Sequence, residues 1–118
     1  MDKLLLLKYR GENAQRWEEL TIRLPYAVSR HGAQFLNDHI YIFGGGSERN
    51  EILNTTYKLS KNLKWDRVAN MKERRYAISN SSVILNNCIW VLGGCSGQEW
   101  LNSVEVYNPA INEWLYMA

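Results

Sequence analysis

Short apolar runs recur along this chain in a fixed order, each followed by the same punctuation. Ile40-Tyr41-Ile42-Phe43 leads into Gly44-Gly45, and Ile89-Trp90-Val91-Leu92 leads into Gly93-Gly94. The two double glycines lie 49 residues apart, Trp65 and Trp114 repeat that spacing, and Trp17 precedes Trp65 by 48. Tyr57 and Tyr107, 50 apart, complete the series. Four marks in one order and nearly one register make this a repeat sequence.

Each unit reads as four strands. Gln34 to Leu36, the turn Asn37-Asp38 and Ile40 to Phe43 predict a tight hairpin, and Ser82 to Leu85, Asn86-Asn87 and Ile89 to Leu92 predict its copy. The second strand of each hairpin is continuously apolar, the pattern of a strand covered on both faces. Third strands are expected at Asn54 to Leu59 and Ser103 to Tyr107, and short fourth strands at Trp65 to Val68 and Trp114 to Tyr116. A four-stranded antiparallel meander repeated at this period is the blade of a β-propeller. The expected fold is all-β: two blades and part of a third, an incomplete propeller.

An apolar strand, Gly-Gly, then a Tyr and a Trp is the pattern of the kelch repeat, and residues 30–117 resemble that family as two units. Three segments follow: a worn partial blade at 1–24, in which Leu4 to Leu7 and Trp17 mark strands, and blades at 25–71 and 72–118. The sequence departs from the pattern where no Gly-Gly follows Leu7, and at Thr55-Thr56-Tyr57-Lys58. Leu24-Pro25-Tyr26-Ala27 and Arg30-His31-Gly32 give the layout a likeness to the opening of the propeller in BTB-kelch proteins.

Packing explains the repeat marks. Gly44, Gly45, Gly93 and Gly94 end crowded inner strands where a side chain would block backbone approach. Tyr57, Tyr107, Trp65 and Trp114 supply broad flat surfaces between adjacent sheets. These eight are expected to be structural.

Composition narrows the chemistry. In 118 residues there are five Trp and seven Tyr but two Phe, with eight Gly and two Pro, as suits strands and tight turns. A net charge of +2 does not point to nucleic acid or membrane. No apolar run approaches the length of a signal core or a membrane span, so a cytoplasmic location is expected and two sequons, at Asn54 and Asn80, are read as chance. Basic residues concentrate in Lys58 to Arg75, seven against Asp66 and Glu73, a net of +5 that leaves −3 elsewhere.

Catalysis and cofactors find no support. His31 and His39 are the two histidines, and no triad or metal-ligand spacing includes them. Gly44-Gly45-Gly46-Ser47 lacks the Gly-Lys-Ser/Thr ending of a phosphate loop. Cys88 and Cys95 bracket one strand and so lie about 23 Å apart, beyond disulfide reach. The chain is expected to be neither enzyme nor metal protein, and to need no cofactor.

Strand alternation sorts the loops. The loop between second and third strands and the connection between blades share one face; the two short turns share the other. Tyr26 to His31, Gly46 to Leu53, Met71 to Tyr76 and Cys95 to Leu101 therefore gather on one side, and they are the longer and more varied loops. Arg30, Arg49, Arg74, Arg75, Tyr76 and Trp100 on them are the candidate partner-binding residues, since Arg, Tyr and Trp on a rigid scaffold suit protein recognition. The resemblance implies a non-enzymatic interaction module that selects substrates for a cullin-based ubiquitin ligase, with actin or cytoskeletal binding as the alternative. Further blades, in the same chain or in other copies, are the other expected partners.

Overall fold

Two left-handed pairs of residues start the two hairpins. Asn37 and Asp38 have φ of 52° and 65°, and Asn86 and Asn87 have 54° and 58°. Both pairs build the I′ geometry that Asn tolerates and that matches strand twist. In the computed structural model, which describes residues 2–10 and 17–117, the first pair joins β3 (Gly32–Leu36) to β4 (His39–Phe43), and the second joins β8 (Ser82–Leu85) to β9 (Cys88–Leu92).

The meander continues as expected in both units. β6 (Thr56–Leu59) and β7 (Trp65–Val68) complete the sheet β3-β4-β6-β7, and β10 (Val104–Asn108) and β11 (Glu113–Met117) complete β8-β9-β10-β11, antiparallel throughout. Before them β1 (Asp2–Arg10) pairs with β2 (Trp17–Ser29), and β2 then pairs with β5 (Gly46–Ser47) in the loop of the next sheet. β2 thus runs across residue 24, the expected end of the worn blade, because its last residues find backbone partners in β5. The remainder of that expected blade, residues 1 and 11–16, lies outside the described residues.

One mark is corrected by register. Ile40 stands opposite Leu59, and Ile89 opposite Tyr107, so the counterpart of Tyr107 is Leu59. Tyr57, opposite Ile42, is the counterpart of Glu105, opposite Val91. The tryptophans do correspond: Trp65 faces Leu59 and Trp114 faces Tyr107.

A continuous core joins the two sheets. Tyr41, Phe43, Ile78, Ile89, Val91, Tyr107 and Trp114 form it, with ring centroids 5.6 Å apart for Tyr41–Tyr107 and 5.8 Å for Phe43–Trp114. Burial, with Tyr41 alongside, pushes the Tyr107 hydroxyl up to about 12, and it donates to Asn112 Oδ1 at 2.8 Å. Trp114 Nε1–H donates to Thr56 Oγ1 and to the Ala69 carbonyl at 3.1 and 3.0 Å, tying its ring to the neighbouring blade. Such a partner is what a buried indole N–H requires.

The double glycines end β4 and β9 as expected. At Gly45 (φ +94°) a Cβ would stand 2.8 Å from the Ser29 carbonyl oxygen and from Val28. At Gly94 (φ +92°) it would stand 2.6 Å from Ile78. Neither site admits a side chain, so each connection between sheets passes directly over a bare backbone.

Candidate functional site

The four long loops meet on one side. Tyr76 and Cys95 exchange backbone hydrogen bonds at 3.0 Å, which fastens the connection between the sheets to the loop after β9. Arg74 Nη1 donates to the Ile52 carbonyl at 3.1 Å, and a Cβ on Gly97 would touch Ile52 at 3.2 Å. The Arg30 guanidinium lies 5.9 Å from the centre of the Tyr76 ring, within cation–π range. On the other side, Lys61 reaches Asp38 at 3.9 Å, linking the short turns of the first sheet.

Exposure separates the six candidate residues. Arg30, Arg49 and Arg74 are exposed, Tyr76 is half-buried, and Trp100 has 77% of its surface in solvent. Trp100 pairs with Cys95, and Cys95 with Tyr76, so its loop is anchored at both ends while the indole projects. Arg49 sits apart, beside a cavity it shares with Ala27, Glu48 and Glu51.

Arg75 does not belong to that surface. It is wholly buried, and all five of its N–H groups are used. Nε donates to Glu105 Oε2 (3.0 Å), Nη1 to the Gly93 and Ser103 carbonyls (2.7 and 3.0 Å), and Nη2 to Glu73 Oε2 and Ser103 Oγ (3.1 and 2.7 Å). Glu105, equally buried, also accepts the N–H groups of Lys72 and Glu73. A buried charge persists only when paired and fully hydrogen-bonded, and this one is both. Arg75 therefore holds the connection between blades in place. The signal for this was Glu105, a carboxylate on the inward-facing row of an otherwise apolar strand, which demands a cation beside it.

Sequence reasoning also passed over Ser29, Ser47 and Asn50. With Arg30, Ile52 and Tyr76 they line a cavity of about 270 Å³ at the junction of the two sheets. Short polar residues in loops carry no periodic signal, and only the folded chain brings these together. Cys95, expected at the opening of a surface loop, is buried, and its sulfur accepts the Gly97 N–H at 3.5 Å. Trp65 is half-buried, unlike Trp114. Among the described residues no group of His, Cys, Asp and Glu is placed to hold a metal ion, and no helix is long and apolar enough to cross a membrane.

The repeated meander, the double glycines and the loop-rich face define a pair of propeller blades. A kelch motif model matches residues 27–72 and 79–118, so the chain belongs to the kelch-repeat family. It is similar to spermatocyte protein spe-26 of Caenorhabditis elegans, 32% identical over 83% of this chain and 18% of the relative. Kelch-like protein 36 of Mus musculus is 31% identical over 93% of this chain and 18% of its own length. Beta-scruin of Limulus polyphemus is 37% identical over 84% of this chain and 11% of its own. The chain thus spans less than a fifth of these relatives. Among solved structures, YjhT superposes with a TM-score of 0.75 at 12% identity, over 98% of this chain and 45% of that one. That likeness shows the fold. Kelch repeats on such a scaffold form protein-interaction modules.

Proposed function

We propose that these blades are the substrate-recognition part of an adaptor for a cullin-based ubiquitin ligase, and that they act by binding rather than catalysis. The observation carrying this reading is the convergence of the long loops: Arg30, Arg74 and Tyr76 are drawn together and Trp100 projects beside them. Exposed Arg and large aromatic side chains on anchored loops are the residues that dominate protein recognition. Further blades, in the same chain or in other copies, cover the outward face of β8-β9-β10-β11. There Val83, Leu85, Leu92, Leu115 and Met117 are each at least 44% exposed.

The test compares variants for bound proteins after chemical cross-linking in cells, with purified actin filaments sedimented in parallel. Trp100→Ala, at the centre of the loop face, is expected to cost on the order of 2 kcal/mol of partner binding and to raise the steady level of the bound protein. Lys61→Ala, on the other face, is expected to change neither. Equal losses from Trp100→Ala and Lys61→Ala would overturn the assignment of the face. Co-sedimentation with actin, without change in the level of any bound protein, would overturn the ligase reading in favour of the cytoskeletal one.

A further inference from the structure

The cavity at the sheet junction has a one-sided chemistry. Among the described residues its polar lining consists of groups with a proton to give: the Arg30 guanidinium, the Ser29, Ser47 and Tyr76 hydroxyls, and the Asn50 amide. No carboxylate lines it. The Ser47 oxygen already accepts the N–H groups of Arg49 and Glu51, both at 3.2 Å, which leaves its own proton to donate. Arg30 pairs with no carboxylate among the described residues and is held against the Tyr76 ring instead.

The frame around these donors is rigid. Arg30 sits in a left-handed corner, φ 55°, and its carbonyl accepts the Ile78 N–H from the next connection at 3.2 Å. Tyr76 is fixed by its paired backbone bonds to Cys95, and Ile52 by Arg74. Glu48 and Glu51 border the neighbouring cavity, on the far side of Ser47, with Arg49 between them. A volume of about 270 Å³ falls below the usual range for small-molecule sites and suits one side chain.

We propose that this cavity is a subsite for a single anionic side chain of a bound protein, held by a planar fork from Arg30 and by the Ser47, Asn50 and Tyr76 donors. The inference rests on the reading of the loop face as a protein-binding surface and names the chemistry of what enters it. Arg supplies two parallel donors to a carboxylate or a phosphate, and a stacked guanidinium retains that geometry. Asp or Glu carboxylates and phosphorylated Ser or Thr share this chemistry.

The experiment is an amide NMR titration of the chain with three probes: N-acetyl-glutamate amide, N-acetyl-phosphoserine amide and N-acetyl-glutamine amide. The two anionic probes are expected to shift the Ser47, Asn50 and Tyr76 amides, and the neutral one to leave them unmoved. The tighter of the two anions tells carboxylate from phosphate. Arg30→Gln is expected to weaken the anionic probes by about tenfold or more while the remaining spectrum keeps its dispersion. Arg30→Lys, which keeps the charge and loses the fork, is expected to fall between. Equal shifts from the neutral probe, or unchanged anion binding in Arg30→Gln, would overturn the subsite. Trp100→Ala is expected to leave these titrations unaltered. The subsite can therefore fail while the loop face stands, and the reverse.

Discussion

The two complete blades hold their entry segments in different ways. Ahead of the first, the end of β2 lies alongside β5, with Val28 opposite Ser47 and Ser29 opposite Gly46. Ahead of the second, the equivalent ladder shrinks to one bridge, Tyr76 with Cys95, and the Arg75–Glu105 knot stands beside it. Aligning Tyr26-Ala27-Val28-Ser29 with Tyr76-Ala77-Ile78-Ser79 puts Pro25 where Arg75 stands, and register puts Tyr57 where Glu105 stands. The first blade thus has neither member of the ion pair. Backbone pairing and a buried charge network are alternative ways to fasten the same crossing over a double glycine. The repeat preserves the crossing and leaves the fastening free to vary.

The largest effect that would sharpen this comparison comes from the knot. Arg75→Leu strands the Glu105 carboxylate and the Gly93 and Ser103 carbonyls in a dry interior, at a cost of about 3–5 kcal/mol. The double variant Arg75→Leu, Glu105→Leu is expected to lose less than the single one, because the uncompensated charge goes too. Tyr57→Leu, at the matching position in the first blade, is expected to cost about 1 kcal/mol. Denaturant midpoints measure all three. Equal losses from Arg75→Leu and Tyr57→Leu would show that the blades are fastened alike.

Next in size is the tryptophan pair. Trp114 is 3% exposed, contacts Phe43 and Tyr107, and donates to the neighbouring blade. Trp65 occupies the same register position but is half-buried beside Leu59 and Ile40. Trp114→Ala is expected to cost about 3–5 kcal/mol, and Trp65→Ala about half as much. Thermal unfolding followed by tryptophan fluorescence of each single variant reads the difference. A larger loss at Trp65 would break the ranking of the two blades.

The places where sequence and structure part company follow the same contrast. Both hairpins and both double glycines were legible, because the Asn pairs and glycines answer purely local backbone demands. The Tyr57–Tyr107 equivalence was not, because two length differences nearly cancel. Twelve residues separate Phe43 from Thr56 against eleven between Leu92 and Val104, and five separate Leu59 from Trp65 against six between Tyr107 and Trp114. The tryptophan spacing therefore survived while the strand between had moved. A slip of two residues keeps side chains on the same face, so alternation gave no warning. β5 is too short to leave a period. Arg75 looked like its neighbours Lys72 and Arg74, since residue type alone does not tell a solvated cation from a buried one. The loop face itself followed from strand direction alone, but its polar cavity needed the folded chain.

The smallest expected effect concerns the strand that was read as covered on both faces. In β4 that reading holds: Ile40, Tyr41, Ile42 and Phe43 are all buried, since one sheet lies against each side. In β9 it holds on one side. Ile89 and Val91 are wholly buried against the first blade, while Leu92, in the register position of Phe43, is 47% exposed. Val83, Leu85, Leu115 and Met117 share its face by direct cross-strand pairing through Trp90, Cys88, Val106 and Val104. Phe43→Ala is accordingly expected to cost about 3–5 kcal/mol in this chain, and Leu92→Ala no more than about 0.5 kcal/mol. The second value is the informative one, because it depends on what lies against the sheet. If a further blade packs there as the second packs on the first, Leu92→Ala in a protein carrying that blade should rise to about 2–5 kcal/mol, the cost of a buried leucine. Urea unfolding of both proteins, each with and without the substitution, measures the change. A small loss in both would mean that no blade covers this face, and the two-sided apolar pattern of β9 would then have some cause other than a neighbouring sheet.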